Sequence, residues 1–391
     1  MFKDLDTSEV MTVTGSYVLG LGVLLVEGGL FMLQNKKTLV VGIQNLEGIP
    51  YGATLRVKQQ VETLNADYFN VGRKKTWNSL NNVMKFLHAL RFLAFWRDPF
   101  TTYHFSNMKF NKLLRHLQFH NYERVVLTEI WTYPYLKAIQ RMKGIKIVVD
   151  FHNVESMLQK EIARNPLLTG WKRLMEAWRV WLIMGMERKL VKQAHEVWVC
   201  SKKDQMLMLG MYQVNANVVP NKVNVKGIEF IESLTTERSL GYVGCFNYQP
   251  NEEAALELLY MIHPRLGGST LKLIGKNPTD RLKAWGNTRI SVKGEIVDIT
   301  PVIREVRTMA MPIRSGSGTR LKVLEAMAYG IPVVATAKAV EGIDVVDGVH
   351  YLQAETPEEF QQSIELLWAT PELERDLRVN GRKLVEAQYS W

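Results

Sequence analysis

Between positions 314 and 325 the chain reads RSGSGTRLKVLE, which brings together two glycines, hydroxyls at Ser317 and Thr319, cations at Arg314, Arg320 and Lys322, and a carboxylate at Glu325. That mixture suits an anion carrying a polyol. Gly316 and Gly318 let the backbone come close to a ligand, and the first amides of a following helix favour a phosphate. Arg320 and Lys322, just inside that helix, supply the countercharge. Glu325 falls about two turns along it and is placed to accept two hydrogen bonds from a vicinal diol such as a ribose. Taken alone, Gly-Ser-Gly is equally the content of a flexible loop with solvated charges. The full string MPIRSGSGTRLKVLEAMAYGIPVVAT (311–336) is more specific, because a strand leads into the loop and Gly330 stops the helix.

A second set of chemical groups lies earlier. His152 directly follows the apolar run IKIVVDF (145–151), with Asp150, Asn153 and Glu155 around it. A histidine at a carboxyl strand end is a hydrogen-bonding or acid–base candidate, or a structural histidine.

The elements that must hold these groups follow a simple rhythm. From Thr38 onward, strand-length apolar runs alternate with longer helix-like segments, as in a parallel sheet covered on both faces. TLVVGI (38–43), a loop 44–53, TLRVKQQVETL (54–64) and DYFNVG (67–72) make the first strand–helix–strand unit. Strands are expected at 125–130, 145–151, 195–201 and 216–221, and one long helix at 171–194. The pattern breaks near 222–238 and resumes with SLGYVGCF (239–246), a helix from Asn251 to Leu266, and further strands at LKLIG, ISVKG, MAMPI and PVVAT. The expected fold is therefore α/β, two tandem doubly wound, Rossmann-like sheets facing a cleft at their carboxyl strand ends. Residues 1–36 form an extension or over-called start, 37–230 the first domain and 231–391 the second.

Composition supports two globular cores. The chain has 391 residues, 47% of them hydrophobic and 23% charged, too long for one ordinary core. Its two cysteines, Cys200 and Cys245, cannot build a disulfide framework or a four-ligand zinc site, which points to a reducing, cytoplasmic setting. Forty-nine Lys and Arg against 39 Asp and Glu leave a net charge of +10, which favours an anionic partner without naming it. Several enzyme classes are disfavoured. No G-x-G-x-x-G stands at a strand–helix junction, and Walker, H-E-x-x-H and G-x-S-x-G motifs are missing from the sequence.

Residues 10–35 carry one charge, Glu27, and so raise a membrane-anchor reading. Five glycines, an acidic flank and the lack of a small-residue cleavage site weaken it. A start at Met32 is the favoured expectation, since Glu27-Gly28-Gly29 can be encoded by a run containing a bacterial ribosome-binding sequence; a soluble extension is the third alternative.

The string G-[ST]-G-x-[RK]-x-K-x-LEAMA-x-G-x-PVV-x-T, followed by Glu341-Gly342, resembles the donor-site signature of family 4 of the GT-B glycosyltransferases, closest to its bacterial surface-polysaccharide branch. The wider pattern, with HN after a middle strand, VVPN before the hinge, VG after it and then LIG, covers most of 38–391. The resemblance implies a retaining transferase moving a sugar from a nucleotide diphosphate sugar to a glycan or lipid-linked acceptor. It implies no cofactor and no metal, the diphosphate being held by basic residues and amides. Under it, His152 hydrogen-bonds the sugar or acceptor and Glu325 binds the ribose, making these two the catalytic candidates. Gly316, Ser317, Gly318 and Thr319 form the phosphate-facing turn, joined by Arg314, Arg320 and Lys322. Gly244 borders the donor, and Gly275, Lys276 and Asp298 border the base. On the acceptor side stand Glu47, Gly48, Tyr51 and Gly52 after the first strand, with Glu129 and Trp131 in TEIWTYPY able to bond and stack on a sugar ring; core packing is the equal alternative for the aromatics.

Two departures stand out. The family pattern places a carboxylate eight residues before its ribose-binding Glu, where this chain has Ser317, and the usual Arg and Lys after the first strand of the second domain are replaced by Gly244-Cys245-Phe246-Asn247-Tyr248. The alternative function is accordingly a non-catalytic partner of an active transferase. The family also continues beyond Tyr389-Ser390-Trp391 with a final helix crossing to the first domain. Basic-aromatic stretches 80–97 and 171–189 suit either peripheral contact with an anionic membrane at its inner face or a core-facing helix with snorkelling cations. Nucleic acid is disfavoured, because no recognition module accompanies the charge.

Overall fold

The computed structural model describes residues 16–19, 23–26, 29–32, 37–47, 52–72, 105–164, 170–296, 298–316 and 318–391. β1 (Ser16–Leu19), β2 (Val23–Val26) and β3 (Gly29–Met32) form a small antiparallel sheet of their own. Where 10–35 is described it is extended, not helical. Glycine is a poor helix former, and the five glycines of 10–35 accord with short strands in place of a continuous helix.

Two six-stranded sheets follow. The first contains β4 (Thr38–Gly42), β5 (Asp67–Asn70), β6 (Arg124–Thr128), β7 (Lys146–Phe151), β8 (Glu196–Val199) and β9 (Asn217–Val218), in the order β5-β4-β6-β7-β8-β9. All neighbours are parallel. Its helices are α1 (Gly52–Thr63), α2 (Asn107–Phe119), α3 (Glu155–Ala163), α4 (Gly170–Gln193) and α5 (Lys202–Tyr212). The central strands β4, β6 and β7 are mostly apolar because both faces are covered. Leu39, Val41, Val125, Leu127, Ile147 and Val149 enter one core, while Val40, Val126 and Val148 enter the opposite one, the two-residue alternation of an extended strand.

The second sheet comprises β10 (Ser239–Val243), β11 (Thr270–Ile274), β12 (Ile290–Lys293), β13 (Thr308–Met311), β14 (Val333–Ala335) and β15 (Leu352–Gln353), ordered β12-β11-β10-β13-β14-β15 and again parallel. α6 (Gln249–Glu257), α7 (Leu321–Tyr329), α8 (Pro357–Ala369) and α9 (Pro371–Gln388) accompany it. The helix expected to reach Leu266 changes form after α6. Its backbone widens over Leu258–Ile262 and tightens at His263–Arg265, since Pro264 lacks the amide a regular α-turn needs. The stretch expected at 80–97 lies outside the described residues.

Strand order reverses between β4 and β6 in the first sheet and between β10 and β13 in the second. Loops leaving such neighbours diverge and open a crevice at the carboxyl edge. The linker between the sheets is held by α9: Arg378 Nη2 donates to Glu232 O at 3.2 Å and Arg382 Nη1 to Ile228 O at 2.9 Å. Beyond α9, Tyr389 O accepts from Val223 N at 2.8 Å, and Trp391 Nε1 reaches Glu62 Oε2 on α1 at 2.8 Å.

Candidate functional site

β13 ends where the second sheet reverses, so the loop 314–320 enters the crevice directly. Gly318 has φ +78°, and a Cβ there would lie 2.4 Å from Asn153 Oδ1 and 3.4 Å from His152 O. The glycine is required twice over, by its backbone angle and by the first domain pressing on it. The Arg320 guanidinium folds back onto the loop, donating to Gly318 O and, at 3.3 Å, to Ser315 O. No side chain caps the start of α7. Thr319 is buried, and its hydroxyl has no hydrogen-bond partner among the described residues, an uncommon condition for a polar atom in a protein interior.

Lys322 extends from α7 toward the carboxyl end of β10. Its Nζ donates to Asn251 Oδ1 at 2.7 Å and Tyr242 OH at 3.0 Å, and sits 4.4 Å from the Tyr242 ring centre. Burial, aided by the Arg320 charge and opposed by Glu325, lowers its pKa to about 7. Glu325, half-buried one turn further along, has its carboxyl raised by burial, with Lys322 pulling the other way. Cation and carboxylate thus line one helix face next to the loop.

Gly244 and Gly275 meet at the ends of β10 and β11, where a Cβ on Gly275 would lie 1.9 Å from Gly244 O. The remaining donor-side candidates are engaged locally. Lys276 is exposed and pairs with Glu295 at 3.2 Å. Asp298 Oδ1 accepts from Thr300 N at 2.9 Å, and hydrogen bonding by Thr300, its side chain first and then its amide, lowers the Asp298 pKa. Arg314 forks onto Glu257 at 2.8 and 2.6 Å and reaches Glu355 O, so its charge is compensated. Ser317 lies outside the described residues.

Across the crevice, Glu129 ends β6 with φ 62° and ψ 150°, a conformation costly for any residue with a side chain. It is held there by Glu129 N donating to Asp150 O at 2.9 Å and by Gln44 Nε2 donating to Glu129 Oε1 at 2.8 Å. His152 lies between two carboxylates, Nδ1 3.2 Å from Glu129 Oε1 and Nε2 3.1 Å from Asp150 Oδ2. Neither contact is aligned as a hydrogen bond, so the attraction is mainly that of charge. Burial opposes the imidazolium, yet Glu129 and Asp150 together raise its pKa to about 9. Asp150 is itself fully buried and kept ionised, despite that burial, by Arg56, whose Nε is 2.8 Å away. Arg56 also donates to Val219 O and Asn221 Oδ1, both at 2.8 Å. Glu155, opening α3, has its carboxyl raised to about 7, chiefly by burial and further by Glu129 and Glu187, against a 3.2 Å bond from Asn153.

On the acceptor side, Gly52 starts α1, and a Cβ there would be 3.9 Å from Leu321 Cδ1; the amino ends of α1 and α7 therefore face each other. Glu47 is exposed in a turn, its amide donating to Asn45 Oδ1 at 3.3 Å. Trp131 packs against the first domain's core. Gly48 and Tyr51 fall outside the described residues. Among the described residues no group of three or more His, Cys, Asp and Glu is arranged to hold a metal. The structure thus brings together Gly318, Thr319, Arg320, Lys322, Glu325 and His152, and leaves Lys276, Asp298, Arg314 and Glu47 in separate pairings.

Sequence reasoning missed Arg56, Tyr242 and Asn251. A signal existed for the first: an aspartate inside an apolar strand, Asp150, requires a buried cation. It did not say which one. Tyr242 and Asn251 read as a core aromatic and a helix-start polar residue, and only the approach of β10 to α7 gives them Lys322.

Residues 237–370 match the family described as glycosyl transferases group 1. No curated protein matches the chain by sequence. Among solved structures, sucrose-phosphate synthase from Thermosynechococcus elongatus superposes with a TM-score of 0.66 at 16% identity, covering 90% of this chain and 95% of that one. HepE of Anabaena, in complex with UDP and glucose, gives 0.59 at 14%, covering 91% and 96%. A glycosyltransferase from Rickettsia africae gives 0.57 at 11%, covering 91% and 95%.

Proposed function

From a chain with the GT-B fold, whose second domain matches group 1 glycosyl transferases, we propose a glycosyltransferase that moves a sugar from a nucleotide diphosphate sugar to a glycan or lipid-linked acceptor, with retention, in cell-surface polysaccharide biosynthesis. The observation that carries this reading is the uncapped start of α7 behind the 314–320 loop, facing His152 across the crevice. HepE, similar in fold, is a complex with UDP and glucose, which supports a nucleoside diphosphate here.

In the proposed reaction the α7 amides, Thr319 and Lys322 bind the diphosphate. Its negative charge grows as the bond to the sugar breaks, and fixed donors in a water-poor crevice stabilise that growth. Glu325 takes the ribose hydroxyls. His152, charged at neutral pH, donates to the sugar or the acceptor, and Glu129 and Asp150 hold its ring. Attack and departure on the same face need no enzyme nucleophile; with Ser317 standing where the family has the carboxylate that holds the donor sugar, backbone amides would position the sugar in this chain.

Calorimetric titration with a panel of nucleoside diphosphates tests the donor site. Binding by one of them, weakened about tenfold or more in Glu325→Ala and in Lys322→Ala, is expected. No binding by any, or binding indifferent to both substitutions, would sink the assignment. Binding without turnover of any nucleotide sugar would favour the non-catalytic partner.

A further inference from the structure

The long helix α4 carries a face whose large apolar side chains Trp171, Leu174 and Trp181 stay exposed. Leu182, Ile183, Met186, Glu187, Leu190 and Val191 are buried. On a different side of the helix Trp171 is 72% exposed, Leu174 65% and Trp181 61%, with Trp178 half-exposed on the same line. At about 100° per residue these four positions, and after them Arg188, Lys189 and Lys192, fall within one arc of roughly 100°. The three cations are exposed. No acidic residue falls on the arc: Glu187 is buried, and Glu176 lies on another side, bonded to Gln159 of α3. That bond sets α3 beside the first turns of α4, which adds the exposed Ile162 to the apolar end.

Exposed tryptophans are costly in water, and two on one stripe, Trp171 and Trp181, continued by cations have a specific physical match. Indole rings settle at the level of lipid headgroups, and Lys and Arg near an anionic surface each add attraction. Among the described residues no helix is long and apolar enough to cross a membrane, so contact would lie in the interface plane. We propose that this face of α4 docks the first domain on an anionic lipid bilayer, with Trp171, Leu174 and Trp181 entering the headgroup layer and Arg188, Lys189 and Lys192 meeting lipid phosphates. The crevice lies at the other end of α3, whose start is Glu155 beside His152, so docking brings the site close to a lipid-linked acceptor. Only that last consequence rests on the transferase reading.

The test is co-sedimentation of the full chain with phosphatidylcholine vesicles, alone or mixed with phosphatidylglycerol, at about 0.1 M salt. Binding to the mixed vesicles is expected, with at least a tenfold loss in W171S/W181S and in K189E/K192E. All four positions face solvent, so thermal unfolding of the variants should match the parent. Absence of binding, equal binding to both vesicle types, or binding unchanged in both variants would overturn the proposal. So would self-association in sedimentation velocity that the tryptophan substitutions abolish, which would assign the face to a second copy. Nucleoside diphosphate titration of the same samples reports on the donor site separately.

Discussion

His152 shows how a single side chain is governed by charges it cannot see in sequence. Its pKa of about 9 exceeds the ordinary histidine value of 6.5, so the folded state holds the proton more tightly than the unfolded chain. The stabilisation is complete below the unfolded value and is lost as pH rises through about 9. Chemical denaturation from pH 6 to 10 should show this fall, and His152→Asn should flatten it. Lys322 has the opposite displacement. With its pKa lowered to about 7, much of it is neutral at pH 8, and a bound diphosphate would restore the charge. Nucleotide binding should therefore take up a proton between pH 7 and 9, read as a dependence of the calorimetric heat on buffer ionisation enthalpy. Lys322→Arg, charged throughout, should abolish the uptake; uptake persisting in that variant would remove Lys322 from the phosphate site. Arg56 belongs at the same scale. Arg56→Ala would leave Asp150 buried without its partner, a loss of about 3–5 kcal/mol measurable in denaturant.

At the scale of elements, the 314–320 loop and the start of α3 touch at one point, Gly318 against His152 and Asn153. Gly318→Ala adds both left-handed strain and a clash, a cost of about 1–3 kcal/mol. The expected result is weaker nucleotide binding with little loss of the second domain's own fold, because the position lies at the crevice and not within a sheet. Gly275→Ala should behave differently. Its Cβ would strike the Gly244 carbonyl between β10 and β11, and a lower unfolding midpoint is expected even without ligand. Comparing the two by circular dichroism and nucleotide titration separates loop function from sheet assembly.

At the scale of the whole molecule, charged side chains span the crevice. Lys203 of α5 pairs with Glu341, Lys202 with Asp344 at 3.2 Å, and Lys338 lies 3.8 Å from Glu161 of α3. These pairs are largely exposed and therefore weak and screened by salt. Together they favour the approach of the two domains without locking it. Small-angle scattering should report a larger radius of gyration as salt rises from about 0.05 to 0.5 M, and Glu341→Gln should open the molecule already at low salt. A radius indifferent to both would show that the ion pairs do not govern closure.

By itself the sequence determined the alternation of strands and helices, the break near 222–238 and the glycine loop leading into α7. Each depends on neighbouring residues: apolar runs long enough for a strand, glycines at a turn, a helix stopped at Gly330. It left the form of 10–35 open, because a run of apolar residues has no periodicity that separates a spanning helix from short strands rich in glycine. Only the tertiary structure decided which charges meet. Asp150 and His152 at the end of β7, Glu129 after β6 and Arg56 on α1 come from three parts of the fold, and Lys322 finds Tyr242 and Asn251 from two more elements. Electrostatic energy depends on distance and on exclusion of water, and both are set by the reversal of strand order in each sheet, which is fixed by packing across the chain and not by any local run of residues.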